Sequence, residues 1–308
     1  MQRRTFITGV AATGMSLAAP KPIAGQSAES ATPEGNTMTE VAPQTGYAPV
    51  NGLQMYYELH GAGDPLVLLH GAYATIDLWG PILSTLAENR QVIAVELQGH
   101  GHTADIDRPF SYEQMADDVA ALMEHLQIPQ ADVVGYSMGG NTGLQLAIRH
   151  PELVRKLVAI SANYRSDGYY PEVLAMIQTI TPEMFAETPL AEAYRRNAPN
   201  PEDFPTLVEK HKAFDAAGFA WPEEDVAAIT APTLLIYGDL DIIRPEHMVE
   251  LFRLLGGGVP GGLSADPPPS SQLAILPGIT HVTIAFERTD VLLSMIEAFL
   301  DAPGPDSA

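Results

Sequence analysis

Short apolar segments alternate with amphipathic segments along most of the chain. The run Leu66–Leu69 is continuously apolar, which is typical of a strand buried on both faces. The pattern predicts further strands at 54–60, 91–95, 131–136, 156–160, 233–237 and 273–276. It predicts helices at 76–89, 111–126, 138–149, 245–255 and 289–300. Such alternation indicates an α/β fold, with a mostly parallel central sheet and helices on both faces.

Two segments interrupt this alternation. The long interval between the strands at 156–160 and 233–237 is rich in Pro, Met and aromatic residues, and it predicts a helical cap inserted at about 163–230. Residues 256–271 are rich in Gly and Pro and predict a surface loop. We therefore expect one domain at 46–302, followed by a C-terminal tail at 303–308.

The N-terminal segment has a different character from the rest. Arg3 and Arg4 precede a weakly apolar stretch, and residues 1–28 contain no acidic residue. This pattern predicts a twin-arginine signal peptide and a periplasmic or secreted protein, the alternative being a misassigned start and a cytoplasmic protein. Residues 29–45 are polar and predict a linker. No later apolar run is long enough for a membrane anchor in the mature chain.

Composition narrows the classes of function. The chain has 308 residues, 46% of them hydrophobic, and no cysteine. This excludes a disulfide scaffold, cysteine-ligated zinc and a thiol nucleophile. Its 16 Lys and Arg stand against 38 Asp and Glu, for a formal net charge of −22. Because proteins that bind nucleic acids or anionic lipids need clustered positive charge, this composition argues against both kinds of partner.

A candidate nucleophile lies in the segment GYSMG at 135–139. This G-x-S-x-G motif follows the predicted strand 131–136 and opens the predicted helix 138–149, which is the strand–turn–helix setting of a nucleophile elbow. Ser137 would then stand at the carboxyl edge of the sheet, with the helix N-terminus beneath it. The pattern predicts a serine that performs nucleophilic catalysis.

A serine nucleophile needs a base and a carboxylate that orients the base. His281 lies in a predicted loop just after the last strand, where the loops of an open α/β sheet gather around an active edge. Asp239 and Asp241 both follow the predicted strand 233–237, and the order Ser, Asp, His suits either one.

Backbone amides are the expected donors of an oxyanion hole. Ala72 follows a Gly after the buried strand, and Met138 follows the nucleophile, so we nominate their N–H groups. His100 and His102 are two residues apart in a predicted loop, but no third ligand has a recognisable spacing, so no metal site is expected.

Several motifs together carry a family resemblance. They are HGA at 70–72, ELQGHGHT at 96–103, GYSMGG at 135–140, GDLDIIRP at 238–245 and PGITH at 277–281. The chain resembles α/β-hydrolase fold enzymes over roughly 46–302. The resemblance implies that Asp241 is the acid, that His281 is the base, that the insertion is the family's variable cap and that no cofactor is needed.

The resemblance also limits the reaction. Haloalkane dehalogenases and epoxide hydrolases of this fold use Asp at the elbow, so Ser137 disfavours both. We expect a serine hydrolase that cleaves a small or medium apolar carboxylic ester or lactone through an acyl-enzyme. The alternatives are a carbon–carbon bond hydrolase of diketone-type ring-fission products, a cofactor-free perhydrolase, an aminopeptidase or a non-catalytic ligand-binding protein.

Large side chains of the insertion are candidates for pocket walls, although most are expected to pack in the core. They are Tyr164, Tyr169, Tyr170, Met176, Met184, Phe185, Phe214, Phe219 and Trp221.

Overall fold

The computed structural model describes residues 42–260 and 271–303. Within them, one sheet has eight strands in the order β1-β2-β4-β3-β5-β6-β7-β8. The strands are β1 Gln44–Val50, β2 Leu53–His60, β3 Asp64–Leu69, β4 Arg90–Val95, β5 Ala131–Tyr136, β6 Val154–Ile160, β7 Thr233–Leu240 and β8 Gln272–Thr280. The first two strands form an antiparallel edge, and every pairing from β4 to β8 is parallel.

Helices cover both faces of the sheet. They are α1 Gly80–Leu86, α2 Tyr112–His125, α3 Met138–Arg149, α4 Pro171–Ile177, α5 Pro182–Phe185, α6 Pro189–Asn197, α7 Phe204–Ala217, α8 Glu223–Ala227, α9 Pro245–Leu254 and α10 Thr289–Asp301. One apolar core lies under α2, α3, α8 and α9, and a second lies under α1 and α10. The predicted fold class is therefore correct, with the sheet closed off from water on both sides.

The register of the parallel strands sets where the site can form. β3 lies between β4 and β5, and Leu69 at its carboxyl end pairs with Gly135 near the end of β5. The carboxyl ends of β3, β5, β6, β7 and β8 meet at one edge, and the loops that leave this edge can converge. Helices α4 to α8 lie between β6 and β7, in the interval where the sequence predicts a cap.

Three sequence predictions need correction. The predicted linker 29–45 is too long, because β1 already begins at Gln44 and pairs with β2. Its exposed residues and Gly46 hide the strand signal. The helix predicted at 76–89 is a 3-10 turn followed by α1, since Gly80 adopts a φ of 39° between them. The predicted loop around residues 277–280 belongs to β8, which runs on to Thr280.

Other predictions fall outside the described residues. They concern the export signal at 1–28, most of the linker, the central part of the loop at 256–271 and most of the tail at 303–308. Among the residues that are described, no helix combines the length and the apolar character needed to cross a membrane.

Candidate active site

Ser137 occupies a sharp turn between β5 and α3. Its backbone has φ 53° and ψ −115°, a strained conformation for a residue with a side chain. The Ser137 amide donates to the Ile160 carbonyl at 2.8 Å, and its own carbonyl accepts from the Asn141 amide at 2.9 Å. These two bonds hold the turn rigid, so the strain is maintained by the neighbouring strand and by the first turn of α3.

The glycines beside Ser137 are required by close backbone contacts. A Cβ on Gly139 would lie 2.1 Å from the carbonyl oxygen of Leu69, and one on Gly135 would lie 2.2 Å from that of Gly139. Both neighbours are backbone atoms that cannot rotate away. Only glycine therefore lets α3 begin directly against β3.

A continuous hydrogen-bonded chain joins three of the predicted site residues. The Oγ of Ser137 lies 2.9 Å from Nε2 of His281. The Nδ1 of His281 lies 2.8 Å from Oδ1 of Asp241. This is the arrangement in which a histidine takes a proton from a serine while a carboxylate holds its other nitrogen.

The structure brings Asp241, and not Asp239, to His281. The side chain of Asp241 is fully buried, and its Oδ2 accepts from the hydroxyl of Ser161 at 2.6 Å. Asp239 instead accepts from the Gly278 amide at 2.7 Å on the exposed side of the strands. Burial alone would raise the pKa of Asp241, but the hydrogen bond and charge of His281, together with Ser161, outweigh it and lower that pKa.

Hydrogen bonds to the backbone of His281 and of its neighbours hold this histidine in place. The hydroxyl of Tyr136 donates to the His281 carbonyl at 2.8 Å. Thr280 and Thr283 exchange backbone-to-hydroxyl bonds at 3.0 and 3.1 Å around it. Ser161 and Tyr136 are functional positions that sequence reasoning missed. The sequence offers only weak signals for them: Tyr136 directly precedes Ser137, and Ser161 directly follows β6, which pairs with β5.

The amides of Ala72 and Met138 line the same cavity as Ser137. Within residues 42–260 and 271–303, neither amide donates a hydrogen bond to a protein group. The next amide, that of Tyr73, is already taken, because it donates to Nε2 of His100 at 3.2 Å. Ala72 and Met138 therefore offer two free donors near the nucleophile, one of them at the positive end of α3.

Histidines brace the loop that carries Ala72. His70 bonds through Nδ1 to the Gly71 carbonyl at 2.8 Å, and its Nε2 accepts from the Leu97 amide at 3.1 Å. Burial is the main reason why the pKa of His70 is lowered. A neutral, immobile ring thus supports the loop at its base.

His100 and His211 continue this brace. The Nδ1 of His100 donates to the Gln98 carbonyl at 2.9 Å, so its Nε2 is the acceptor for the Tyr73 amide and for Nε2 of His211, 3.0 Å away. Burial first, and then the charge of neighbouring histidines, lowers the pKa of His100 well below its usual value. Burial likewise lowers the pKa of His211 to about 3. These rings are structural supports, and they do not converge with His102, which bonds to Glu96.

The buried histidines predict a pH-dependent stability. In the unfolded chain a histidine takes up a proton near pH 6.5, whereas folded His211 stays neutral down to about pH 3. The unfolded state therefore binds more protons between these values. The free energy of unfolding should fall by up to about 1.4 kcal/mol per pH unit for each such histidine as the pH drops through this window.

Urea unfolding from pH 7.5 to 4.5 measures this slope. His211→Gln should make it shallower by about 1.4 kcal/mol per pH unit. His125→Gln, at an exposed position on α2, is the matched control and should leave the slope unchanged. Equal slopes for wild type and His211→Gln would contradict this account of the brace.

The site opens into a cavity of about 310 Å³. Ser137, His281, Ala72 and Met138 form part of its wall. Apolar side chains form most of the remainder, among them Leu78, Val173, Met176, Ile177, Ile180, Phe185, Leu190, Phe214 and Ile242. A cavity of this size and lining suits a small or medium apolar molecule.

The large side chains of the insertion are divided among the cavity, the core and the surface, where Tyr170 and Met184 are exposed. Tyr169, Met176, Phe185 and Phe214 line the cavity. Tyr164 and Trp221 are buried in the core instead, at 0% and 6% exposure. Aromatic residues alone do not distinguish these roles, because both places exclude water.

Comparisons with known proteins agree with this fold. The family model described as alpha/beta hydrolase fold matches residues 64–199. The chain is 30% identical to a protein of Azorhizobium caulinodans that carries the provisional name carbamate hydrolase RutD, with 71% of this chain and 88% of that one covered. It is 31% identical to the 2-hydroxymuconate semialdehyde hydrolase of Pseudomonas sp. CF600, over 60% of this chain and 73% of that one.

A solved structure shows the same architecture. The enol-lactonase from Burkholderia xenovorans LB400 superposes with a TM-score of 0.62, covering 83% of this chain and all of that one. The two sequences are 24% identical, so this likeness bears on the fold alone.

Proposed function

This chain is a hydrolase of the α/β-hydrolase fold superfamily, and we propose that it cleaves small or medium apolar carboxylic esters or lactones. The observation that carries the proposal is the chain of hydrogen bonds from Ser137 through His281 to Asp241, at 2.9 and 2.8 Å, on the wall of an apolar cavity. The predicted serine nucleophile, base and acid stand in the relation that acyl transfer requires.

The proposed reaction proceeds in two halves. In the first, Ser137 Oγ attacks the substrate carbonyl while Nε2 of His281 takes its proton, and the oxyanion is held by the amides of Ala72 and Met138. His281 then gives the proton to the leaving alkoxide, and an acyl-enzyme remains. In the second half, His281 takes a proton from water, the hydroxide attacks the acyl-enzyme, and the acid leaves as the proton returns to Ser137.

Asp241 acts on His281 throughout this cycle. Its carboxylate accepts from Nδ1–H, so Nε2 faces Ser137 with a lone pair, and its negative charge stabilises the imidazolium that forms. Ser161 supplies a second bond to the carboxylate and fixes its plane. Because His281 and Ser161 outweigh the effect of burial and lower the pKa of Asp241, its carboxylate stays ionised over the range in which esterases work.

A second candidate is hydrolysis of a carbon–carbon bond in a diketone-type compound. It uses the same three side chains, and one relative is named for a semialdehyde substrate of ring-fission type. The lining of the cavity favours the ester instead, because none of the described residues that line it is a Lys or Arg that could hold an anionic group.

Two measurements test the proposal. A fluorophosphonate should label the folded protein on Ser137, as read by mass spectrometry of the modified peptide. A panel of nitrophenyl esters of increasing chain length, lactones, carbamates and vinylogous diketones should then show the highest kcat/KM on an ester or lactone. If Ser137 carries no adduct, the serine mechanism is wrong; if diketones rank highest, the second candidate replaces the first.

A further inference from the structure

One acidic side chain of the cavity has no positively charged or hydrogen-bonding side chain as a partner among the described residues. Asp215 lies on α7 of the insertion and lines the same cavity as Ser137. Across residues 42–260 and 271–303 it takes part in no ion pair and no side-chain hydrogen bond. The carboxyl is half-buried, so water compensates it only partly.

Three tyrosines share this cavity with Asp215. Tyr73, Tyr112 and Tyr169 line it, and they come from three different parts of the chain. Burial is the main reason why the pKa of each phenol is raised, and the charge of Asp215 raises all three further. We call these four residues the acidic recess.

The recess has an unused donor as well as an unused acceptor. The hydroxyl of Tyr73 is buried and has no partner among the described residues. The Tyr73 ring packs on His211 with centroids 4.4 Å apart, so its position is fixed. A polar atom that is buried and rigidly held without a partner indicates a place for a ligand group.

The charge of the recess favours a cation. Besides Asp215 and the three tyrosines, the titratable groups that line the cavity are Tyr136, His281 and His211. His211 lies four residues before Asp215 on the same helix face. The pKa of His211 is about 3, so it offers no positive charge at neutral pH. Burial raises the pKa of Asp215 to about 6, so at neutral pH its charge is mostly present and uncompensated.

We propose that the acidic recess binds a positively charged ammonium group of the substrate, so that the enzyme prefers esters that carry such a group. A carboxylate attracts the cation, and the electron-rich faces of tyrosines stabilise it where water is scarce. This inference rests on the proposed ester hydrolysis and names the class of substrate for the same site. The proposed substrate is still a carboxylic ester, and its ammonium group lies in the part of the molecule that contacts the insertion.

A matched pair of esters tests the inference. Butyrylcholine carries a quaternary ammonium group, and 3,3-dimethylbutyl butyrate replaces its nitrogen with carbon at nearly equal size. At pH 8 we expect kcat/KM to favour butyrylcholine by about tenfold or more. Asp215→Asn should bring this ratio close to one. Glu224→Gln removes the same charge from an exposed position of α8 and should leave the ratio unchanged.

The pH dependence of the ratio isolates Asp215. The quaternary cation does not titrate, and any effect of pH on the catalytic step is shared by both esters and cancels in the ratio. With a pKa near 6, the ionised fraction of Asp215 falls from about 99% at pH 8 to about 10% at pH 5. The preference for butyrylcholine should decline through this range in the wild type and stay flat in Asp215→Asn.

Each outcome is decisive for one of the two proposals. Turnover of the neutral ester with no preference for the cation overturns the recess and leaves the ester hydrolase standing. A preference for a 4-hydroxybutyl ester over both substrates overturns it too, because the recess would then serve a hydroxyl. Butyrylcholine binding to Ser137→Ala, measured by calorimetry and weakened by Asp215→Asn, supports the recess without relying on turnover.

Discussion

Replacing Ser137 with alanine should lower kcat for the best ester of the panel by roughly 10⁵-fold. The Oγ of Ser137 is the attacking atom in the proposed reaction, and the remaining groups cannot form an acyl-enzyme. The two free amides and the cavity would still bind the substrate, so residual hydrolysis by bound water should stand above the uncatalysed rate. KM should change little, because the hydroxyl contributes to the reaction more than to binding.

The fold should survive this change. Among the described residues, the Oγ of Ser137 makes a hydrogen bond to His281. The hydrogen bonds of Ser137 to Ile160 and Asn141 use its backbone atoms, so they remain when the side chain is removed. Circular dichroism and urea unfolding can verify that the variant is folded. Ser84→Ala, at an exposed position on α1, controls for loss of a hydroxyl elsewhere and should retain full activity. A folded Ser137→Ala that kept more than a hundredth of the activity would rule out the serine mechanism.

The position of Ser137 in a turn between a strand and a helix could be predicted from sequence because its signal is local. The apolar run of β5, the two glycines and the helix that follows all lie within a few residues of Ser137. Each of these features has a physical cause that the sequence displays, namely burial of a strand, close backbone contact and the start of a helix. The structure places them as the pattern predicts.

The acidic partner was harder to predict because its signal is not local. Asp239 and Asp241 both follow the predicted strand 233–237 and differ by two residues, so both would point to the same face of an ideal strand. The pairing of β7 with β8 shifts register between Gly238 and Leu240, and this irregularity separates them. The sequence alone does not show that shift, and only the family resemblance favoured Asp241.

The acidic recess was missed for a similar reason. Asp215 lies in a helix whose neighbours are mixed in polarity, as on any solvated surface. Its special position depends on three tyrosines separated from it by dozens of residues along the chain. A pattern along the sequence cannot report that these groups meet, because the meeting depends on how the insertion packs over the sheet edge.

Exchanging Asp241 for asparagine should lower kcat by roughly 10⁴-fold at neutral pH. The amide can present its NH₂ group to Nδ1 of His281 while its oxygen accepts from Ser161, which keeps the hydroxyl bond of the carboxylate. His281 would then carry its proton on Nε2, facing Ser137, and could not take another. The imidazolium would also lose the negative charge that stabilises it. The fold should be retained, since asparagine has nearly the same shape.

Asp239→Asn is the matched comparison, because it makes the same change only two residues earlier in the chain. Asp239 accepts from the Gly278 amide, and an asparagine oxygen can accept that bond equally well. We therefore expect this variant to keep kcat within about threefold of the wild type, in the range of ordinary surface substitutions. Initial rates with one nitrophenyl ester, after urea unfolding has shown that both variants are folded, make the comparison direct. If Asp239→Asn were the inactive variant, His281 would have to turn away from Asp241 during the reaction, and the hydrogen bond of 2.8 Å between them would not be the one that catalysis uses.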